Sequence, residues 1–147
     1  MILYLDTSAL VKLLIEEDGT AATGTWLDQA EQVASSVVTY AEACAALNRN
    51  DRQRGTAPSR LNARLAALDE FWQEVLGIPV AERPAGRLAI AHGLRGTDAV
   101  QLAAAMTLRE RVLTDASDAE VAFAAFDRRL LEAAEREGFV TLGRPLE

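Results

Sequence analysis

The apolar run Ile2-Leu3-Tyr4-Leu5 is too short to make a useful helix and stops at a carboxylate, Asp6. A second run, residues 121–126, stops the same way at Asp127. Continuous apolar runs of this length read as strands covered on both faces. Between them the spacing predicts helices over 8–16, 20–31 and 38–53, from Pro58 to a stop at Gly77, from Pro84 to His92, and over 98–109 and 128–137. Shorter strands fall at 33–36, at 78–80 (edge-like, because of Pro79) and at 139–142. Residues 110–120 are polar and acidic and read as a loop or short insertion. Strand–helix alternation predicts a parallel sheet with helices on both faces, and 147 residues suit a single domain, 1–147. Ligands of such sheets collect beyond the carboxyl ends of the strands, the edge on which both Asp6 and Asp127 would lie.

Two more carboxylates stand where a charge has little structural use. Glu42 is the one charged residue in 33–47, among Tyr40, Ala41, Ala43, Cys44, Ala45 and Ala46. A closely packed alanine-rich helix rarely buries a glutamate without a partner. Its bland reading is an exposed stripe shared with Arg49. Asp98 opens the uncharged segment 99–108 after Gly96-Thr97. Asp6, Asp98 and Asp127 each have an alternative as helix N-caps, a role Asp fills well and one compatible with binding a ligand. Gathered in one place, the four acids would raise one another's pKa. A hard divalent cation with oxygen ligands removes that conflict and can activate water against a phosphodiester. Asp115 and Asp118, in the polar loop, are weaker candidates for the fourth acid. Lys12, Arg128 and Arg129 are the nearest cations in sequence, with Arg128 or Arg129 candidates to hold a substrate phosphate. Trp26, Phe71 and Trp72 sit at core spacing, and His92 reads as a charge at a helix C-terminus.

Composition narrows the classes. One cysteine, Cys44, makes no internal disulfide and no thiolate metal site, and one histidine rules out a poly-histidine zinc site. No apolar stretch approaches a membrane span, and Met1 leads into the first strand without a basic leader region, so a cytoplasmic protein is expected. The net charge of −7 argues against a broad phosphate-binding surface, though not against a nuclease whose acidic site supplies part of that charge.

Taken in order, four segments resemble the motifs of PIN domains. They are Asp6-Thr7-Ser8-Ala9-Leu10-Val11-Lys12-Leu13, Thr39-Tyr40-Ala41-Glu42, Leu94-Arg95-Gly96-Thr97-Asp98-Ala99-Val100-Gln101-Leu102-Ala103, and Phe123-Ala124-Ala125-Phe126-Asp127-Arg128-Arg129-Leu130. Size and motif order are most similar to the VapC toxins of toxin–antitoxin pairs. The resemblance implies a three-layer α/β/α fold with a short parallel sheet of four to five strands. It implies an endoribonuclease that needs Mg²⁺, with Mn²⁺ able to substitute, held by Asp6, Glu42, Asp98 and Asp127. It also implies a homodimer and a small cognate VapB-like antitoxin that inserts a segment into the site. Ala125 departs from the pattern, since relatives often carry Thr or Ser there.

Rival readings fit less well. A haloacid dehalogenase-type phosphatase wants a second Asp where Ser8 stands, and a receiver domain wants a late lysine, whereas Lys12 is the only lysine. The non-enzymatic rival is a PIN scaffold that binds RNA or a partner without cutting.

Overall fold

The computed structural model describes residues 1–55, 57–115 and 118–143. Five strands form one all-parallel sheet: β1 (Ile2–Leu5), β2 (Gln32–Ser36), β3 (Val75–Ile78), β4 (Val121–Ala124) and β5 (Val140–Leu142). Their order across the sheet is β3-β2-β1-β4-β5. Chain order reverses at β1, which pairs with β2 on one side (Leu3 opposite Val33) and β4 on the other (Leu3 opposite Ala122). The helices are α1 (Thr7–Val11), α2 (Thr20–Gln29), α3 (Val38–Arg54), α4 (Pro58–Trp72), α5 (Glu82–His92), α6 (Gly96–Thr114) and α7 (Arg128–Arg136).

Strand side chains alternate between two cores. Leu3 and Leu5 pack with α1, α3 and α4 through Leu10, Leu47 and Leu68. Tyr4, Phe123 and Ala125 face the opposite core, with Leu88, Leu102, Leu108 and Leu130 from the other helices and Phe139 from the turn before β5. Tyr4 stacks on Phe123 at 5.3 Å between ring centroids, and both are fully buried. The two-sided cover explains why β1 and β4 read as unbroken apolar runs. Among the described residues no helix is long and apolar enough to cross a membrane.

Three elements differ from the sequence expectation. The first helix covers Thr7–Val11 rather than 8–16, because the chain then tightens into turns, with Lys12 N–H donating to Ala9 O and Leu13 N–H to Leu10 O. The third strand lies at Val75–Ile78, ahead of Pro79 rather than across it. Gly77 therefore sits inside this strand instead of ending α4. A Cβ there would come within 3.3 Å of Val37 Cγ1, so the small residue serves close packing against the start of α3. Residues 110–114 continue α6 instead of opening a loop, and Asp115 caps its C-terminus. Their outward polar side chains are those of an exposed last turn. Residues 116 and 117 of that stretch lie outside the described residues.

Gly19 fixes where α2 begins. Its φ is +97°, and a Cβ would fall 2.8 Å from the Phe126 ring. Gly19→Ala is expected to cost about 1–3 kcal/mol by adding backbone strain and displacing Phe126. A urea melt of the variant measures this, and an unchanged midpoint would contradict it.

Candidate metal-binding nuclease site

The carboxyl ends of β1 and β4 open onto a cleft of about 400 Å³, walled by α1, α3 and the start of α6. Asp6, Glu42, Asp98 and Asp127 all line it, so the reversal of strand order and the helix starts bring together residues scattered over most of the chain. Asp6 leaves β1 and caps α1: Ala9 N–H donates to its Oδ1 at 2.9 Å. Ser8 Oγ lies 2.7 and 2.9 Å from its two oxygens and itself accepts from Phe126 N–H at 2.9 Å, tying α1 to the end of β4. Asp127 caps α7 by accepting from Leu130 N–H at 2.9 Å. Capping and facing the cleft thus coexist at both residues. Asp98 does not cap α6, whose N-cap is Arg95; it sits in the first turn and accepts from Arg95 Nε at 3.3 Å.

Glu42 lies about one turn into α3 and, among the described residues, forms no ion pair with an arginine. Its Oε1 accepts from Thr7 Oγ1 at 2.9 Å and from Gln101 Nε2 at 3.1 Å. Gln101 is the residue that composition hides. It sits one turn after Asp98 on α6, only 2% exposed. Its amide nitrogen also lies 2.9 Å from Thr39 Oγ1 and 3.2 Å from Thr7 Oγ1, and its Oε1 accepts from Tyr4 Oη at 2.7 Å. A buried polar column so joins β1, α1, α3 and α6 beneath the cleft, continuing through Thr39 to Ser35 Oγ at 2.7 Å. A glutamine in an otherwise apolar helix face was the available signal.

Electrostatics match the crowding of acids. Burial raises the Asp6 pKa to about 7; the bonds from Ser8 and Ala9 oppose the rise, and the charges of Asp98 and Asp127 add to it. The Asp98 pKa is also raised, by partial burial first and then by Asp127, with Arg95 pulling the other way. Burial, then the Asp6 charge, holds the Tyr4 phenol well above its ordinary range, so it stays a neutral donor. Among the described residues, five carboxylates line the cleft against three cations, and one of these, Lys12, is paired with Glu17 at 2.9 Å. The donor set is entirely hard oxygen and short of positive charge, which fits a hard divalent cation such as Mg²⁺ or Mn²⁺. Among the described residues no three of these groups close into a tight ligand cluster; each acid is bonded to its own wall.

Comparisons with known proteins identify the family and the fold. The model of the PIN domain family matches residues 3–136. The chain belongs to the PIN domain family. Ribonuclease VapC45 of Mycobacterium tuberculosis (strain CDC 1551 / Oshkosh) is 34% identical over 140 residues, covering 93% of this chain and 92% of the relative. Among solved structures, PAE2754 from Pyrobaculum aerophilum superposes with a TM-score of 0.65 at 20% identity, covering 96% of this chain and 83% of that one. VapBC2 from Rickettsia felis, solved with a DNA fragment from its promoter, superposes with a TM-score of 0.58 at 14% identity, covering 97% of this chain and 98% of that one. Both structural likenesses speak for the PIN fold.

Other candidate residues fall elsewhere on the PIN fold. Arg128 and Arg129 do not line the cleft. They begin α7; Arg128 turns along its own helix to Glu132 at 3.1 Å, and Arg129 is exposed. The cations that do line the cleft are Lys12, Arg49 and Arg95. Asp115 closes the far end of α6 and Asp118 is exposed beyond it, so neither reaches the cleft, whereas Asp127 does. Ala125 is fully buried in the core with Leu102 and Leu130 and does not line the cleft. His92 meets Glu137 at 2.7 Å at the C-terminus of α5, and Trp26, Phe71 and Trp72 pack against the core under α1 and α3.

Proposed function

We propose that this chain is the toxin of a type II toxin–antitoxin pair, a metal-dependent endoribonuclease cutting RNA at the cleft that Asp6, Glu42, Asp98 and Asp127 line. The observation that carries the reading is a buried carboxylate, Asp6, crowded by further acids at the carboxyl edge of a PIN sheet. The named ribonuclease relative supports the activity. Asp6, Glu42 and Asp98 would hold Mg²⁺ or Mn²⁺, with Asp127 a direct or water-mediated ligand. Bound there, the ion supplies a nucleophile at neutral pH and neutralises charge around the phosphorus. The chain's own residues do the rest. Ser8 and the Ala9 amide fix the Asp6 carboxylate, and Thr7 with Gln101 fixes Glu42. Arg49 and Arg95, rather than Arg128 and Arg129, stand where a flanking phosphate would pass. The cleft suits single-stranded or looped RNA, whose backbone can bend into it.

A VapB-like antitoxin partner is supported by VapBC2, which was solved bound to promoter DNA. A homodimer, a cytoplasmic location and a single PIN domain over 1–147 complete the proposal. A lone free cysteine, Cys44, is compatible with a reducing compartment.

The test is cleavage of total cellular RNA by purified, antitoxin-free protein, with Mg²⁺ or Mn²⁺ and with EDTA. Discrete metal-dependent products are expected. Their absence from a folded, metal-loaded sample would leave a PIN scaffold that binds without cutting. Gln101→Leu checks the positioning network. It removes the acceptor of the buried Tyr4 hydroxyl, which keeps only the bond from Ser36 N–H, and one partner of Thr39, so a loss of about 1–3 kcal/mol in stability is expected. Losing the donor that orients Glu42 should also lower activity about 10- to 100-fold, a scale set by outer partners of metal ligands. Wild-type turnover in this variant would remove Gln101 from the machinery.

A further inference from the structure

We infer that Arg95 is an exchangeable counter-ion: it spans Asp98 and Asp127 when no metal is bound, and moves to a phosphate of the RNA strand when a metal takes its place. The inference rests on the metal-dependent nuclease reading above.

Its guanidinium reaches Asp98 Oδ2 from Nε at 3.3 Å and Asp127 Oδ2 from Nη2 at 3.6 Å. Among the described residues it is the one cation in an ion pair with any of the four site acids. Lys12 cannot serve, because it is buried, paired with Glu17 and placed 5.1 Å from the Phe126 ring centroid.

The position of Arg95 has no rationale in its own helix. It is the N-cap residue of α6, where the helix dipole is positive and a cation is unfavourable. The acids of the cleft account for the charge instead. Both contacts are long, and the side chain is 79% exposed. Exposed pairs of this kind contribute little, so release is easy. The planar fork that grips a carboxylate grips a phosphate in the same way, which lets a single group trade one for the other.

Exchange demands effects of opposite sign on the two ligands. Removing the charge should strengthen metal binding, since the ion no longer displaces a tethered cation, and weaken RNA binding. A merely structural role at the start of α6 produces no such split.

The test uses the full, antitoxin-free chain as wild type, Arg95→Gln and Arg95→Lys. Mn²⁺ is titrated calorimetrically without RNA, and KM and kcat are then measured on a fluorogenic single-stranded RNA. Arg95→Gln is expected to bind Mn²⁺ about 5- to 20-fold tighter than wild type, with Arg95→Lys close to wild type. Its KM is expected to rise about 5-fold or more, with a smaller change in kcat. If wild type binds Mn²⁺ and Arg95→Gln binds it no tighter, the exchange is overturned and the nuclease reading stands. Tighter Mn²⁺ binding with an unchanged KM overturns the transfer to phosphate. No Mn²⁺ binding by wild type overturns both readings.

Discussion

Replacing Asp6 with asparagine is expected to cut RNA cleavage by about 10²- to 10³-fold while making the metal-free protein harder to unfold. The two effects share one cause. Asp6 is 4% exposed, and burial with its acidic neighbours raises its pKa to about 7. An ionised Asp6 is therefore a liability to the bare fold and an asset to a bound cation. Asparagine keeps an oxygen for the Ala9 amide, so the α1 cap survives. It removes the charge, and with it the ligand. At about pH 8 without metal the variant should gain up to about 4 kcal/mol. The gain appears as a melting temperature several degrees higher, with no further rise on adding Mg²⁺. Cleavage within about threefold of wild type would exclude Asp6 as a ligand, and a lower melting temperature would contradict the cost assigned to its charge.

The second large effect is the pH dependence of the wild type without metal. The folded-state pKa of Asp6, about 7, lies above the ordinary value of 3.8, and Asp98 shifts in the same direction. The folded chain thus holds a proton that the unfolded chain has released. Stability is fully present below about pH 4 and is lost as pH climbs through about 7, at up to about 1.4 kcal/mol per pH unit from Asp6 alone. A divalent cation reverses the trend, because it takes the place of the proton and binds better as the proton leaves. Melts in EDTA and in millimolar Mg²⁺ should therefore diverge near pH 8 and nearly coincide near pH 5. Coincident curves at both pH values would argue that no ion binds at these acids.

Most of the fold could be read from residues whose burial is forced. β1 and β4 are covered on both sides, so their sequences are unbroken apolar runs ending in Asp6 and Asp127. β3 begins three residues and ends two residues before the expected 78–80, because it is an edge strand containing Gly77 and followed by Pro79, both of which usually mark a stop. The last turns of α6 looked like loop because an exposed helix end and a polar loop share a composition. Among site residues, the acids stood out as charges in apolar surroundings. Gln101 did not, since its role depends on meeting Tyr4, Thr7, Thr39 and Glu42, which lie 59 or more residues away in the chain. Arg95 lines the cleft and Arg128 does not, although Arg128 follows Asp127 directly in the sequence.

The pairing of β1 with β4 sets a clock on synthesis. Ile2 waits for Val121, and the cleft needs Asp127 just beyond. At translation speeds of about 5–20 residues per second, many seconds pass between the emergence of the first acid and the last. No nascent fragment that stops short of Asp127 carries all four acids of the cleft, so its acidic lining is completed only after every strand but β5 has been made.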